Sequence, residues 1–477
     1  MTRAADLGTP GSTALVWFRR DLRVHDHPAL TAALAGFRQV ACLYVLDDRL
    51  LRGQMASPNR TWFLRESVAE LSAAIEARGG SLAIHHGRPE SVIPAVARSI
   101  GAQAVFVSRD YSPFGRARDR RVASTLARSG TEFIEMPGVL AVEPEEIVNA
   151  TGGAFSVFSA FFRRWSVIPL RTVLSPPEQI PAPAANAALS TRDLEALTAA
   201  APPVAPVGPG ESAARERLER FLADAAWRYA ADRDRMDRPD TSRVSQDLRW
   251  GLLSPLEVLS RSAAVDATEF VRQVAWRDFY SHLAWYSPRV LREPYQTGFA
   301  DLRWATDQTA LKAWEGGRTG YPVVDAAIRQ LVATGWMHNR SRMIVASFLT
   351  KHLLVDYRKG ERFFMEHLLD GDVAVNNGGW QWASSTGASA QPYFRVFNPM
   401  LQGKRFDPDG SFVRSWLPEL EDFPTRFIHE PWSAPPDVQV AAHCVVGRDY
   451  PAPIVPHEGA AFRARDFFGS QLRARES

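Results

Sequence analysis

The chain has 477 residues, of which 45% are hydrophobic and 23% charged, with a formal net charge of +3. That balance is ordinary for a soluble globular protein of two or three domains and rules out a generic polycation. With two cysteines, no run of eighteen apolar residues and an opening "MTRAADLGTPGST" that lacks an apolar stretch, no disulfide framework, membrane span or signal peptide is expected, and a cytoplasmic protein is.

In chain order, "ALVWF" (14–18), "VACLYVL" (40–46), "LAIHH" (82–86), "AVFVS" (104–108) and "EFIEM" (132–136) are predicted as short buried strands. Helices alternate with them. Leu64, Val68, Leu71 and Ile75 keep a helical spacing stopped at Gly79, and Pro89 opens a second helix with Ile93, Val96 and Ile100 on one face. Strand–helix alternation implies a doubly wound parallel sheet. No G-x-G-x-x-G follows the first strand, where "FRRDLRVHDHPAL" stands, so nucleotide binding in the Rossmann manner is not expected. Pro/Ala-rich runs between 172 and 210 read as a connector over the surface. From 211 onward helical patterns dominate, and "MIVASFLTKHLLV" (343–355), apolar nearly all round, is predicted as one helix buried in a bundle. The predicted fold is α/β plus all-α: a five-stranded domain at 14–140, a linker at 141–210 and a larger all-helical domain at 211–477.

Cations are almost all arginine; only Lys312, Lys351, Lys359 and Lys404 are lysines. Arginine suits bidentate phosphate contacts, and a GC-rich genome gives the same bias. Ten of the fourteen tryptophans lie in the second half, several beside Gly, Asn and Arg. "PDTSRVSQDLRWGLLSP" (239–255) fits either plain helix capping or an anion site built from backbone N–H groups, hydroxyls and Arg243. Arg342 leads into the apolar run and calls for an acid partner, Asp370 or Asp372. Gln273, Trp276, Arg277 and Tyr280 share one helical face, which suits either a core with a peripheral ion pair or base stacking with phosphate contact. "DGDVAVNNGGWQW" (370–382) packs carboxylates, amides, bare backbone and two indoles into thirteen residues. No P-loop, H-E-x-x-H, C-x-x-C or G-x-S-x-G is present, and no metal is expected.

The strings "WFRRDLRVHDHPAL", "TSRVS", "AWRDFY", "GYPVVDAAIRQLVATGWMHNRSRMIVASFLTK", "DGDVAVNNGGWQW" and "RVFNPMLQGKRFDPDGSFVRSWLPEL" resemble the photolyase/cryptochrome family, most closely its class I cyclobutane pyrimidine dimer photolyases, from about residue 14 to 457. The resemblance implies FAD in the helical domain. Tyr229, Thr241, Ser242, Arg243, Val244 and Ser245 would hold its phosphates and ribityl chain. Asn339, Arg342, Asp370, Asp372 and Asn376 would lie at the flavin, Arg342 pairing Asp370 and Asn376 beside N5. It also implies light-driven repair of pyrimidine dimers in UV-damaged DNA by a monomer. Trp276 and Trp382 would wall the flipped-out dimer, Gln273 and Asn339 would bond its base edges, and Met343 would pack nearby. Arg233, Arg277, Tyr280, Arg340, Arg395 and Gln402 would contact the DNA. Trp380, Tyr357 and Trp304 would carry electrons to oxidised flavin.

Three positions depart from the family pattern. Gln273 stands where many relatives have Glu, Tyr357 where the middle tryptophan of three is expected, and Ser112 where an acid is expected. Asp110, Arg118 and Arg249 match an antenna pocket, with 8-hydroxy-5-deazaflavin favoured over methenyltetrahydrofolate. The rivals are a cryptochrome-like blue-light receptor and a (6-4) photolyase. The latter is disfavoured because that branch has histidines at the positions of Asn339 and Met343.

Overall fold

Five runs rich in β-branched and aromatic residues pair as parallel strands: β1 (Thr13–Phe18), β2 (Gln39–Leu46), β3 (Leu82–His86), β4 (Ala104–Ser108) and β5 (Glu132–Met136). The computed structural model describes residues 12–476 apart from 184–201, 203, 205, 206 and 394. Strand order is β3-β2-β1-β4-β5, so β1 is central and wholly buried. The chain reverses its winding between β1 and β4, and the carboxyl ends of those strands open a crevice where an α/β sheet places ligands.

One face of the sheet buries Leu15, Trp17, Leu43 and Val105 against Ile93, Val96, Val122 and Leu126 of the helices Pro89–Ser99 and Pro113–Ala127. The other face does not end at a domain boundary. Val16, Phe18 and Tyr44 belong to a core that runs through Phe63 and Leu64 of the helix Pro58–Glu76 to Phe270, Val274 and Phe279 of the helix Thr268–Tyr286. A second core fills the helical domain around Trp314, Ile328, Leu349 and Trp380. Among the described residues no helix is long and apolar enough to cross a membrane.

The connector differs from a plain surface strap. Phe158–Trp165 is a helix whose Phe158, Phe161 and Trp165 are buried in the shared core. Farther on, Val40 N donates to Pro181 O at 2.7 Å and Ile180 is fully buried. The aromatic spacing 158, 161, 162, 165 is helical, and the Pro/Ala runs that follow mask it in the sequence.

The apolar run 343–355 is also not one α-helix. An α-helix, Asn339–Ser347, passes into a π turn, Phe348–His352, and the chain leaves with Leu354 at φ +53° to bridge Val355 to Ala305. Hydropathy reports burial but not the extra residue of a π turn.

Candidate active site

Tyr229 packs edge-on against Phe221 and Phe270, each 5.6 Å away; farther on, Thr241, Ser242 and Arg243 are half-buried and Ser245 is exposed. The helix Ser245–Trp250 begins after Val244 with no side-chain cap. Capping therefore does not account for the hydroxyls of Thr241, Ser242 and Ser245. Arg243 has φ +49°, its guanidinium lies 4.6 Å over Trp336, and its buried Nε has no partner among the described residues. Burial and then Arg217 lower its pKa, the mark of a cation short of an anion.

The acid partner of Arg342 is Asp370, through Nη1–Oδ1 at 3.2 Å and Nη2–Oδ2 at 2.8 Å. Asp372 caps the helix Val373–Ser384, its Oδ1 accepting from Ala374 N (3.0 Å) and Val375 N (3.1 Å), while Oδ2 accepts from Arg20 of the α/β domain. Burial would raise the pKa of Asp372, but Arg20, Arg249 and Arg277 together hold it well below the carboxylate range. Asn376 donates Nδ2 to Glu361 O at 2.9 Å, so its amide oxygen is the end left to address a ligand. Gly379 is exposed, with nothing within 4 Å of an added Cβ, although the adjacent Trp380 is buried and its Nε1 has no partner. Open space over bare backbone, an orphaned cation and an uncapped hydroxyl segment fit a bound flavin dinucleotide.

The helix-to-helix segment that carries these aspartates is held from outside. Asn59 Nδ2 bonds His367 O at 2.7 Å, Arg60 Nη1 bonds Leu368 O at 2.9 Å, Trp250 Nε1 bonds Leu369 O at 3.2 Å and Arg249 Nε bonds Gly371 O at 2.9 Å. Sequence reasoning missed Arg20, Asn59 and Arg60, because each meets its partner across some three hundred residues.

The helices Asn339–Ser347 and Val373–Ser384 pack together. On them Asn339 is exposed, Met343, Asn376 and Trp382 are half-buried, and Asn339 Nδ2 lies 3.8 Å from Met343 Sδ. Trp276 is half-buried and stacks face to face on Phe158, with centroids 3.7 Å apart and planes 8° apart. Gln273 Nε2 bonds Glu269 O on its own helix at 3.3 Å. Tyr280 lies against Gly378, where an added Cβ would be 2.0 Å from the ring.

Among the other proposed DNA contacts, Arg233 pairs with Glu269 at 3.3 Å, and Arg340 pairs with Asp234 at 2.5 Å while lying 4.5 Å over Phe406. Phe406 is one turn after the half-buried Gln402 on the helix Pro399–Phe406, and Arg395 is exposed just before it. Arg277 is different. It turns inward, donating to Val139 O at 2.7 Å and Leu248 O at 3.1 Å, and joins the two domains.

Of the rings expected to carry electrons, Trp304 lies 6.3 Å from Tyr357, and Trp380 lies 6.1 Å from Trp314. Gly360, one turn beyond Tyr357, lets the Trp380 ring pass: an added Cβ would sit 2.1 Å from Cη2. The Tyr357 hydroxyl is buried without an acceptor, and burial raises its pKa.

In the sheet crevice Asp110 Oδ2 meets Arg118 Nη2 at 3.3 Å, and Arg118 lies 4.8 Å over Trp17. Ser112 caps the helix Pro113–Ala127 and donates Oγ to Asp110 Oδ1 at 2.8 Å. Arg249 bonds toward Gly371, and its buried Nη1 is unpartnered.

Glu361 is a further buried acid beside the site, with Asn377 Nδ2 3.2 Å from Oε1. Burial, only partly opposed by Asn377 and Arg358, pushes its pKa up to about 7. A raised carboxyl pKa favours the protonated fold, so this contribution is complete below the ordinary glutamate range and disappears as pH rises through about 7. Glu361→Gln is expected to flatten the loss of stability between pH 5 and pH 8 by about 1–3 kcal/mol in urea titrations. An unchanged pH slope would remove Glu361 as its source.

Residues 14–184 match the family model "DNA photolyase", and residues 270–470 match "FAD binding domain of DNA photolyase". A deoxyribodipyrimidine photo-lyase of Synechococcus is 38% identical over 472 residues, covering 93% of each chain. A bacterial class III photolyase from Agrobacterium tumefaciens superposes with a TM-score of 0.89 at 34% identity, over 99% of this chain and 100% of that one. A cryptochrome of Synechocystis does so at 0.86 and 30%, over 96% and 99%. With both halves matched in order, the chain belongs to the photolyase/cryptochrome family and has its α/β domain and its helical FAD-binding domain.

Proposed function

We propose that the protein is a class I photolyase that uses light to split cyclobutane pyrimidine dimers in DNA, with FAD as cofactor. The observation that carries this reading is the group of partly exposed Asn339, Met343, Asn376 and Trp382 on two packed helices, beside open space at Gly379. When bound and reduced, FAD supplies the light-excited electron. The chain supplies position, dryness and charge. A dimer within a duplex must be everted to reach this depth, at lower cost than for an intact base pair. Phe158 covers one face of Trp276, so the other face and the edge are what a flipped base would stack on. The Asn339 amide and Gln273 Oε1 would bond base edges. Gln273 brings no charge where an acid would bring one. Arg233, Arg340 and Arg395 would meet flanking phosphates, giving salt-sensitive affinity with little sequence preference.

Asn376 offers an acceptor, which favours an N–H over a bare nitrogen at the ring position it faces. A second chromophore, 8-hydroxy-5-deazaflavin ahead of methenyltetrahydrofolate, would lie near Asp110 and Arg118. A cryptochrome-type light receptor is the second reading, favoured by the likeness to the Synechocystis protein.

Trp276→Ala is expected to weaken binding to dimer-containing DNA by about 1–3 kcal/mol through lost stacking. A gel-shift titration giving the wild-type affinity would refute the stacking role.

A further inference from the structure

Lys351 is fully buried, with no exposed surface at all. No carboxylate pairs with it among the described residues. Its Nζ bonds three oxygens of one segment: Ser385 Oγ at 2.9 Å, Arg395 O at 2.9 Å and Pro392 O at 3.5 Å. An ammonium out of water with only neutral acceptors is costly, and burial pushes its pKa down to about 7. A compact head with three donors suits three convergent oxygens, and a planar guanidinium does not. Lysine is also scarce in this chain, where four lysines stand among 56 basic residues.

The π turn explains how Lys351 gets there. Its wider turn, closed by Leu353 N bonding Phe348 O at 3.2 Å, lies at the end of the helix that begins with Asn339. Four residues earlier, Ser347 Oγ accepts from Phe397 N at 3.5 Å, so the same helix also holds the chain two residues beyond Arg395.

Ser385 supplies a second, independent observation. It ends the helix Val373–Ser384 at φ +68°, in the left-handed region that glycine adopts freely and a side chain resists. Its Oγ is the Lys351 acceptor, which gives a reason for serine at a glycine position.

We propose that Lys351 is a positioning residue, a latch that fixes the segment 385–395 against the helix bearing Asn339 and Met343, and so holds Arg395 and the chain after Trp382 in register for damaged DNA. This rests on the DNA-repair reading above. The latch touches neither the lesion nor the flavin. It acts on how well the site is formed before DNA arrives, so it bears on binding rather than on the chemical step.

The test uses FAD-loaded protein, an oligonucleotide carrying one thymine dimer and the same oligonucleotide undamaged. Lys351→Met is expected to raise the Kd for dimer DNA about tenfold, and Ser385→Gly about threefold, by loss of latch hydrogen bonds. Repair per absorbed photon at saturating DNA stays within twofold of wild type, as does the flavin spectrum. Ser385→Gly, relieved of its backbone strain, melts no lower than wild type while binding more weakly, a combination that a merely structural role does not produce. If Lys351→Met does not fold, Ser385→Gly alone decides. Dimer affinity unchanged in Ser385→Gly, or a loss of repair yield equal to the loss of affinity, overturns the latch. Wild-type protein that binds both oligonucleotides equally overturns the repair reading first, and the latch with it.

Discussion

Tyr357→Trp is expected to speed the photoreduction of oxidised flavin about tenfold or more, equivalent to about 1.4 kcal/mol or more off the barrier of the limiting step. The middle ring of the proposed relay is a phenol that can carry a hole well only by shedding its proton. That hydroxyl is buried without an acceptor, and Arg358, 5.2 Å over the ring, offers none. Charge created there finds no acceptor for its proton among the described residues, whereas an indole needs to release none. The larger ring overpacks a site only 1% exposed, at a stability cost of about 1–3 kcal/mol. The measurement is the rise of reduced flavin absorbance under steady blue light with an external thiol, and an unchanged rate would contradict the account. Tyr357→Phe then identifies the native route. A slower variant keeps the hole on Tyr357, and an unaltered one moves it to Trp314, 6.1 Å from Trp380 and fully buried.

Asp370→Asn is expected to cost about 3 kcal/mol of stability and to empty the protein of FAD during gel filtration. Asp370 is 5% exposed and binds Arg342 through two nitrogens, so removing its charge strands a cation that also donates to Met337 O at 3.0 Å. Arg342 keeps a quarter of its side chain exposed, which places the cost at the lower end for a broken buried pair. Asp370→Glu, with charge retained and reach altered, should fall between the two. Full FAD retention in Asp370→Asn would show that the pair is not part of the cofactor site.

The five strands were legible to within a residue at each end because polar or turn residues bracket each apolar run. The Arg342 partnership was legible as a need, since the residue enters an apolar run, but the choice of Asp370 over Asp372 came only with the family resemblance. What decides it is Arg20, 352 positions away, already occupying Asp372. The same holds for Arg277. Its helical face is correct, yet the carbonyls of Val139 and Leu248 that turn it inward lie in other elements. The helix Phe158–Trp165 was readable from its aromatic spacing and was hidden by the composition around it. The π turn was not readable at all, because an inserted residue leaves no hydropathy mark.

In the proposed reaction the helical domain brings a bound flavin and an everted lesion close enough for an electron to pass. Illuminating chemically reduced, FAD-loaded protein with an oligonucleotide carrying a single thymine dimer, while following thymine absorbance, tests that approach. Absorbance that returns in the light, stays flat in the dark and returns without consumption of reductant is the expected result. A flat trace in the light, from protein that holds FAD and binds the oligonucleotide, would contradict the account.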